Sequence, residues 1–186
     1  MKAIRIQDII QCVGASAIHP VDQDVQVESV EFDSRKVTPG ALFVPLVGGN
    51  TDGHDYVQQA IDQGAVACLW SANPDQAPVD QIQVVFVKDT LRAMQDLAHY
   101  YRQLIDPIVI GITGSNGKTT AKDMTAMSLT SKYQVYKTQG NFNNEIGMPY
   151  TILSMPETTE VLVLEMGMNH FGEIQRLSEI AQPDYA

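Results

Sequence analysis

The chain has 186 residues, a length that suits one large domain or two small ones. Hydrophobic residues make up 44% and charged residues 18% of it, which is typical of folded globular proteins and excludes a disordered tail. Twelve Lys and Arg against 22 Asp and Glu give a net charge of −10. That charge argues against broad nucleic-acid binding, which requires a basic face. A local anion site stays open, because backbone N–H groups bind phosphate without net positive charge.

The cysteines and the N-terminus bear on the cellular compartment. Cys12 and Cys68 lie far apart and form no CxxC pair, so they predict neither a disulfide framework nor a zinc site. Arg5 and Asp8 interrupt the apolar residues near the N-terminus, which is unlike a signal peptide, and no apolar run is long enough to cross a membrane. We therefore expect a cytoplasmic protein with reduced thiols and no membrane insertion.

The sequence pattern of residues 1–88 predicts a small domain of short strands and two helices. The first helix carries Ile4, Ile9, Ile10 and Val13 at helical spacing and ends at Gly14. The second helix covers residues 55–63 and is closed by Gly64. Strands are predicted at 25–32, as one bulged strand or two, at 41–47, and at 65–70 and 84–87. Pro45 makes the strand at 41–47 an edge strand or a broken one.

A long amphipathic helix follows this domain. Asp89 and Thr90 are typical of a helix N-terminus, an apolar stripe runs from Leu91 to Ile105, and Pro107 ends the pattern. We interpret residues 89–106 as the connector to a second domain that occupies 107–186.

The pattern of the second domain predicts a parallel α/β sheet. Residues 108–112 and 161–166 are continuous apolar runs, as expected of strands buried on both faces, and 133–137 is a shorter strand. The helix after the first run has Ala121, Met124, Met127 and Ser128 on one side. The final residues, Tyr185 and Ala186, have the pattern of a beginning strand.

The strongest motif is the glycine-rich segment Gly111–Thr120, which lies between a buried strand and a helix. Glycines allow several backbone N–H groups to point at one phosphate, and the helix N-terminus adds partial positive charge. In this type of loop Lys118 reaches the β- and γ-phosphates and the hydroxyl of Thr119 ligates Mg²⁺. The strict pattern needs a glycine at 112, where Ile stands, so TGSNGKTT is a variant of it.

Two further features belong to the same predicted edge of the sheet. Glu165 ends the apolar run VLVLEM, at the strand end where parallel α/β sheets bind ligands, and is placed to hold Mg²⁺. Residues 138–149 hold three asparagines, which suggest either a polar loop that faces substrate or a turn that caps the next helix. His170 by itself is a weak signal, more often structural than catalytic.

Taken together, TGSNGKTT, TQGNFNNEIGMP and LEMGMNHFGEI resemble the ATP-binding domain of the Mur ligase family. The run from Asp33 to Val44 and the segment GGNTDGH are similar to the UDP-binding N-terminal domain of two of its ligases. The motifs are most similar to those of the ligase that joins D-Ala-D-Ala to UDP-MurNAc-tripeptide. The implied fold is a small mixed α/β UDP-binding domain followed by an incomplete P-loop-type parallel α/β domain that binds ATP.

The resemblance also implies a reaction and its residues. ATP phosphorylates the terminal carboxylate of the tripeptide, and the amine of D-Ala-D-Ala attacks the acyl phosphate to form an amide. Lys118, Glu165 and His170 would be catalytic, and Thr119 and Glu165 would hold Mg²⁺. The residues that would bind ATP are Gly114, Ser115, Asn116, Gly117, Lys118, Thr119 and Thr120. Those that would lie near the other substrates are Ser34, Asn50, Thr51, Asn141, Asn143 and Asn144.

Two alternatives stay open at this point. One is a sibling ligase, of the MurE or cyanophycin synthetase type, which would accept a free amino acid instead of the dipeptide. The other is a non-catalytic module that binds a nucleotide or a UDP-sugar. We also expect a monomer without a nucleic-acid partner, and a chain that is the N-terminal portion of a ligase, lacks its C-terminal domain and is inactive by itself.

Overall fold

The computed structural model describes residues 1–15, 22, 24–49, 51–168 and 170–186. They form two compact units, Met1–Leu97 and Ala98–Ala186. None of the described helices is long and apolar enough to cross a membrane.

The first unit is built on a parallel sheet. A small antiparallel sheet comes first, in which strand β1 (Ile4–Arg5) pairs with strand β2 (Gln26–Val27). Helix α1 (Ile6–Cys12) lies between these two strands in the chain. The parallel sheet contains β3 (Ser29–Glu31), β4 (Ala41–Phe43), β5 (Ala67–Trp70) and β6 (Gln83–Phe86), in that order. Helix α2 (Val57–Asp62) lies between β4 and β5 in the chain, and 3₁₀ turns cover Ser34–Lys36, Gly53–Tyr56 and Pro74–Gln76.

The predicted elements of this unit are present, with shorter strands, but Ile4, predicted in the first helix, lies in β1. The alternation at 25–32 belongs to two strands, β2 and β3, which lie in different sheets. The run at 41–47 is broken, because β4 ends at Phe43, before Pro45. β4 is an interior strand, between β3 and β5. The core beside this sheet is apolar and contains the buried residues Phe43, Cys68, Trp70 and Ala60 of α2.

Helix α3 (Thr90–Ile105) contains the division between the two units. The carboxylate of Asp89 accepts a hydrogen bond from the backbone N–H of Arg92 at 3.0 Å and so caps the helix, as predicted. Thr90 makes a different contact: its buried hydroxyl donates a hydrogen bond to the backbone carbonyl of Pro45. The predicted stripe is buried at Met94, Leu97, Ala98 and Tyr101.

The second unit alternates strands and helices. Its elements are β7 (Ile108–Ile112), α4 (Lys118–Leu129), β8 (Val135–Lys137), α5 (Gly147–Ser154), β9 (Val161–Glu165) and α6 (Glu173–Ala181). The three strands are parallel in the order β7-β9-β8. β9 is central and buried along its whole length. Tyr185 forms a parallel bridge with Ile110, in agreement with the strand pattern predicted at the final residues.

One expectation for this unit was wrong. β7 is not buried on both faces, because Ile108 is 43% exposed and only Val109 and Gly111 are buried. On α4, the side that carries Met124 and Met127 is exposed, at 63% and 73%. The other side, with Ala126, packs against β9. Helical spacing identified residues that share a side, but the sheet covers the opposite side.

Candidate functional site

The glycine-rich loop joins the carboxyl end of β7 to the first residue of α4, Lys118. Gly114 has φ +143° and Gly117 has φ +77°, conformations that an L side chain rarely adopts. The loop curls back on itself, so that Nζ of Lys118 donates to the backbone carbonyl of Gly114 at 2.8 Å. The N-terminus of α4 and the Lys118 ammonium together make this end of the sheet positive.

Glu165 lies next to this loop because β9 pairs with β7 and places Glu165 opposite Ile112. The residue is buried, at 3% exposure. Its backbone N–H donates to the hydroxyl of Thr138 at 3.0 Å, and its Oε1 accepts from Nδ2 of Asn143 at 2.8 Å. Its Oε2 is buried without a hydrogen-bond partner among the described residues.

The loop and the carboxylate share one cleft of about 380 Å³. Its lining consists of residues from β9, the glycine-rich loop, α4 and the asparagine loop: Ser115, Asn116, Gly117, Lys118, Thr119, Thr120, Asn143 and Glu165. Most of the predicted nucleotide and metal residues therefore meet at the carboxyl ends of parallel strands, where ligands bind in such sheets.

The three asparagines of the 138–149 loop have different places. Asn143 lines the cleft. Asn144 caps α5, since its Oδ1 accepts from the backbone N–H groups of Gly147 at 2.8 Å and Ile146 at 3.2 Å. Asn141 is exposed and is not part of the cleft lining. The capping interpretation thus applies to Asn144, and Asn143 is the asparagine of this loop that lines the cleft.

A Mg²⁺ ion with a nucleotide fits the donor set of this cleft. Among the described residues, no cluster of three or more His, Cys, Asp or Glu could hold a metal ion by itself. Mg²⁺ commonly binds through one or two carboxylates together with substrate phosphates. The unpartnered Oε2 of Glu165 supplies such a carboxylate oxygen, beside a loop whose backbone suits phosphate.

A second cleft, of about 450 Å³, lies at the carboxyl ends of β3 and β4 in the first unit. It brings together Ser34 and Thr51, which were both predicted to bind substrate. The hydroxyl of Ser34 donates to Oε1 of Gln59 at 2.6 Å. Arg35 is held by Asp33 through two hydrogen bonds of 2.8 Å, and this contact holds the pKa of Asp33 at about 2.

Val47 and Asp52 form an antiparallel bridge beside this cleft. A Cβ on Gly53 would lie 2.6 Å from the backbone nitrogen of Leu46, so only glycine fits there. His54 is buried, with Nδ1 bonded to Asp52 at 2.6 Å and Nε2 accepting from the backbone N–H of Ser71 at 3.2 Å. This histidine anchors Asp52 to the end of β5.

Besides Asn141 and Asn144, the predicted residues Gly114 and His170 are not among those that line either cleft. Asn50 lies outside the described residues. His170 is exposed and is not among the residues that line the cleft at Glu165. Thr138, Tyr56 and Gln59 were not predicted as site residues. Thr138 begins the asparagine-rich motif, which was the available signal, whereas nothing in the sequence distinguished Gln59 from other surface glutamines.

The comparisons with known proteins cover both units. The family described as "Mur ligase family, catalytic domain" matches residues 26–102, and "Mur ligase middle domain" matches residues 112–186. A relative from Bacillus subtilis, UDP-N-acetylmuramoyl-tripeptide–D-alanyl-D-alanine ligase, is 46% identical over 97% of this chain and 39% of its own length.

Solved structures similar to this chain include those of two Mur ligases. MurF from Acinetobacter baumannii superposes with a TM-score of 0.89 at 30% identity, over 98% of this chain and 40% of that one. MurF from Thermotoga maritima in complex with ADP gives a TM-score of 0.75 at 34% identity, over 84% of this chain and 36% of that one. The chain spans about two fifths of the length of the curated relatives it matches.

Proposed function

The chain belongs to the Mur ligase family, and we propose that it is the UDP-sugar- and ATP-binding part of an ATP-dependent amide ligase. The proposed reaction joins D-Ala-D-Ala to UDP-MurNAc-tripeptide in peptidoglycan precursor synthesis. The carboxylate of the tripeptide takes the γ-phosphoryl group of ATP, and ADP leaves. The amine of D-Ala-D-Ala then displaces phosphate, so that an amide forms and a proton is released.

One observation carries the nucleotide part of the proposal. A glycine-rich loop, a lysine and a buried carboxylate with a free oxygen meet in one cleft at the carboxyl ends of parallel strands. The ADP complex of the Thermotoga maritima relative supports a nucleotide in such a domain.

The chain's own residues would act by positioning and by charge. The N–H groups of residues 114–120 and the N-terminus of α4 would bind the phosphates. Lys118 would exchange its contact with the Gly114 carbonyl for one with phosphate oxygens and neutralise charge as the phosphoryl group transfers. Glu165 and the Thr119 hydroxyl would hold Mg²⁺, which, when bound, supplies positive charge to the phosphate oxygens. His170 remains a predicted catalytic residue on the strength of the family resemblance.

The first unit would bind the UDP end of the sugar substrate. Ser34 and Thr51 line its cleft, and Arg35 adds a cation for which Asp33 fixes the position. A uracil presents both donors and acceptors at its edge, which the Ser34 hydroxyl and the Gln59 amide can match. Asn50 and Asn141 stay in the proposal as predicted substrate contacts.

The proposal also covers the domain boundaries, the oligomeric state and the cellular compartment. We retain residues 1–88 as the UDP-sugar-binding domain, 89–106 as the connecting helix and 107–186 as the ATP-binding domain. The protein would act as a monomer in the cytoplasm, where ATP is available and the thiols of Cys12 and Cys68 stay reduced.

Calorimetry with the 186-residue chain tests the two binding sites separately. ATP with Mg²⁺ should bind, and Lys118→Ala should weaken that binding at least tenfold while it leaves UDP-MurNAc-tripeptide binding unchanged. Ser34→Ala should show the reverse pattern. Equal ATP affinity in the wild type and Lys118→Ala would refute the assignment of the phosphate loop.

The reaction itself is tested with the intact ligase that carries this chain. ADP release should require both UDP-MurNAc-tripeptide and D-Ala-D-Ala. Release with a free amino acid in place of the dipeptide would instead identify a sibling ligase. Binding of both ligands without any dual-substrate turnover would identify a non-catalytic module.

A further inference from the structure

Asn143 lines the cleft and hydrogen-bonds the side chain of Glu165. Its Nδ2 donates to Oε1 at 2.8 Å, while Oε2 has no partner among the described residues. We propose that Asn143 is a positioning residue, which fixes the Glu165 carboxylate so that one oxygen is occupied and the other is kept for a divalent cation. This inference rests on the proposed function, because the cation would arrive with the nucleotide.

The backbone of Asn143 is itself fixed from both sides. Its backbone carbonyl accepts from the N–H of Gly167 at 2.8 Å, and its backbone N–H donates to the carbonyl of Asn141 at 2.8 Å. A Cβ on Gly167 would lie only 3.1 Å from Cγ of Asn143. The missing Cβ of Gly167 therefore leaves the space that the Asn143 side chain occupies.

The backbone of Glu165 is held from the same loop. The hydroxyl of Thr138, which is fully buried, accepts the N–H of Glu165. The segment 138–143 thus contacts Glu165 at its backbone through Thr138 and at its carboxylate through Asn143. A carboxylate held at one oxygen keeps fewer rotamers, which lowers the entropy that is lost when the other oxygen binds a cation.

The chemistry of the donor explains why asparagine is suited to this position. Nδ2–H donates to the charged carboxylate without adding a charge of its own, so the net negative charge that attracts the cation is preserved. A lysine or arginine here would neutralise Glu165 and compete with the cation.

Mn²⁺ binding, measured by electron paramagnetic resonance with a non-hydrolysable ATP analogue present, tests the proposal on the whole chain. Asn143→Ala should weaken Mn²⁺ affinity by about 10- to 100-fold, the range found when outer partners of metal ligands are removed. The affinity for the analogue in metal-free buffer should not change. Gly167→Ala, which keeps the donor but crowds it, should give a smaller loss in the same direction. Gln139→Ala is the matched control, since its Nε2 donates to the carbonyl of Lys137 outside the cleft.

A double-mutant cycle with Glu165→Gln separates positioning from a direct role. If Asn143 acts through Glu165, Asn143→Ala should cause no further loss of Mn²⁺ affinity once Glu165→Gln is present. An equal loss in both backgrounds, a loss of metal-free nucleotide affinity, or wild-type affinity in Asn143→Ala would each overturn the proposal. Failure of the wild type to bind Mn²⁺ with the analogue would instead remove the proposed function, and the positioning role with it.

Discussion

Replacing Gly147 by alanine should destabilise the second unit and disturb the cleft at Glu165. Gly147 is the first residue of α5 and is buried. A Cβ there would lie 2.4 Å from Cα and 2.7 Å from the carbonyl carbon of Phe142, whereas ordinary contacts begin at 3.4 Å. The backbone of Phe142 must therefore move by about 1 Å, the difference between these two distances.

The displacement has a cost that the helix does not recover. Overpacking of this kind destabilises by roughly 1–3 kcal/mol. Alanine is favoured over glycine by up to about 1 kcal/mol in a helix interior, and by less at a first helical position. The expected net loss is about 1–2 kcal/mol. For a unit of this size each kcal/mol corresponds to a fall of roughly 4–8 °C in the unfolding temperature.

The movement also reaches the site, because Phe142 precedes Asn143. Thermal unfolding followed by circular dichroism measures the stability, and the rise in melting temperature with Mg²⁺ and an ATP analogue measures the site. Both should be smaller in Gly147→Ala than in the wild type. Gly49→Ala is the control, since a Cβ there meets nothing within 4 Å. A Gly147→Ala protein as stable as the Gly49→Ala protein would refute the packing argument.

Two further predictions concern titrating groups. The pKa of Asp52 is held below its ordinary value, first by the backbone N–H of His54 and then by its side chain. This contribution to stability is present above the unfolded pKa of about 3.9 and is lost as the pH falls through the folded pKa. The free energy of unfolding in urea should therefore drop in acid, and Asp52→Asn should lessen that drop; an unchanged acid profile would contradict it. Burial raises the pKa of both Cys12 and Cys68 to about 12. The buried Cys68 thiol should not react with Ellman's reagent at pH 8 until the protein is unfolded, and the half-buried Cys12 thiol should react slowly. Fast reaction of both thiols in the native protein would contradict this prediction.

Local signals in the sequence were sufficient to predict the strands, helices and loops around the cleft at Glu165. The glycine-rich loop between strand and helix, the buried run that ends at Glu165 and the capped helix at Asp89 each depend on residues that are close together in the chain. Their conformations follow from glycine backbone freedom, from apolar periodicity and from a side chain that bonds its own helix end. These features could therefore be predicted before any packing was known.

The partners of Glu165 and the covered sides of the elements depended on the tertiary structure. Helical spacing put Met124 and Met127 on one side, but only the sheet decides which side of α4 is covered. The strand order β7-β9-β8 brings Glu165 opposite Ile112 and within reach of Asn143. Three asparagines in one loop are equivalent in the sequence. They differ because α5 needs a cap at Asn144 and the carboxylate at the end of β9 needs a donor at Asn143. The sequence by itself thus determined that a glycine-rich loop and a carboxylate lie at one edge of a parallel sheet. The packing of distant segments decided how that carboxylate is held.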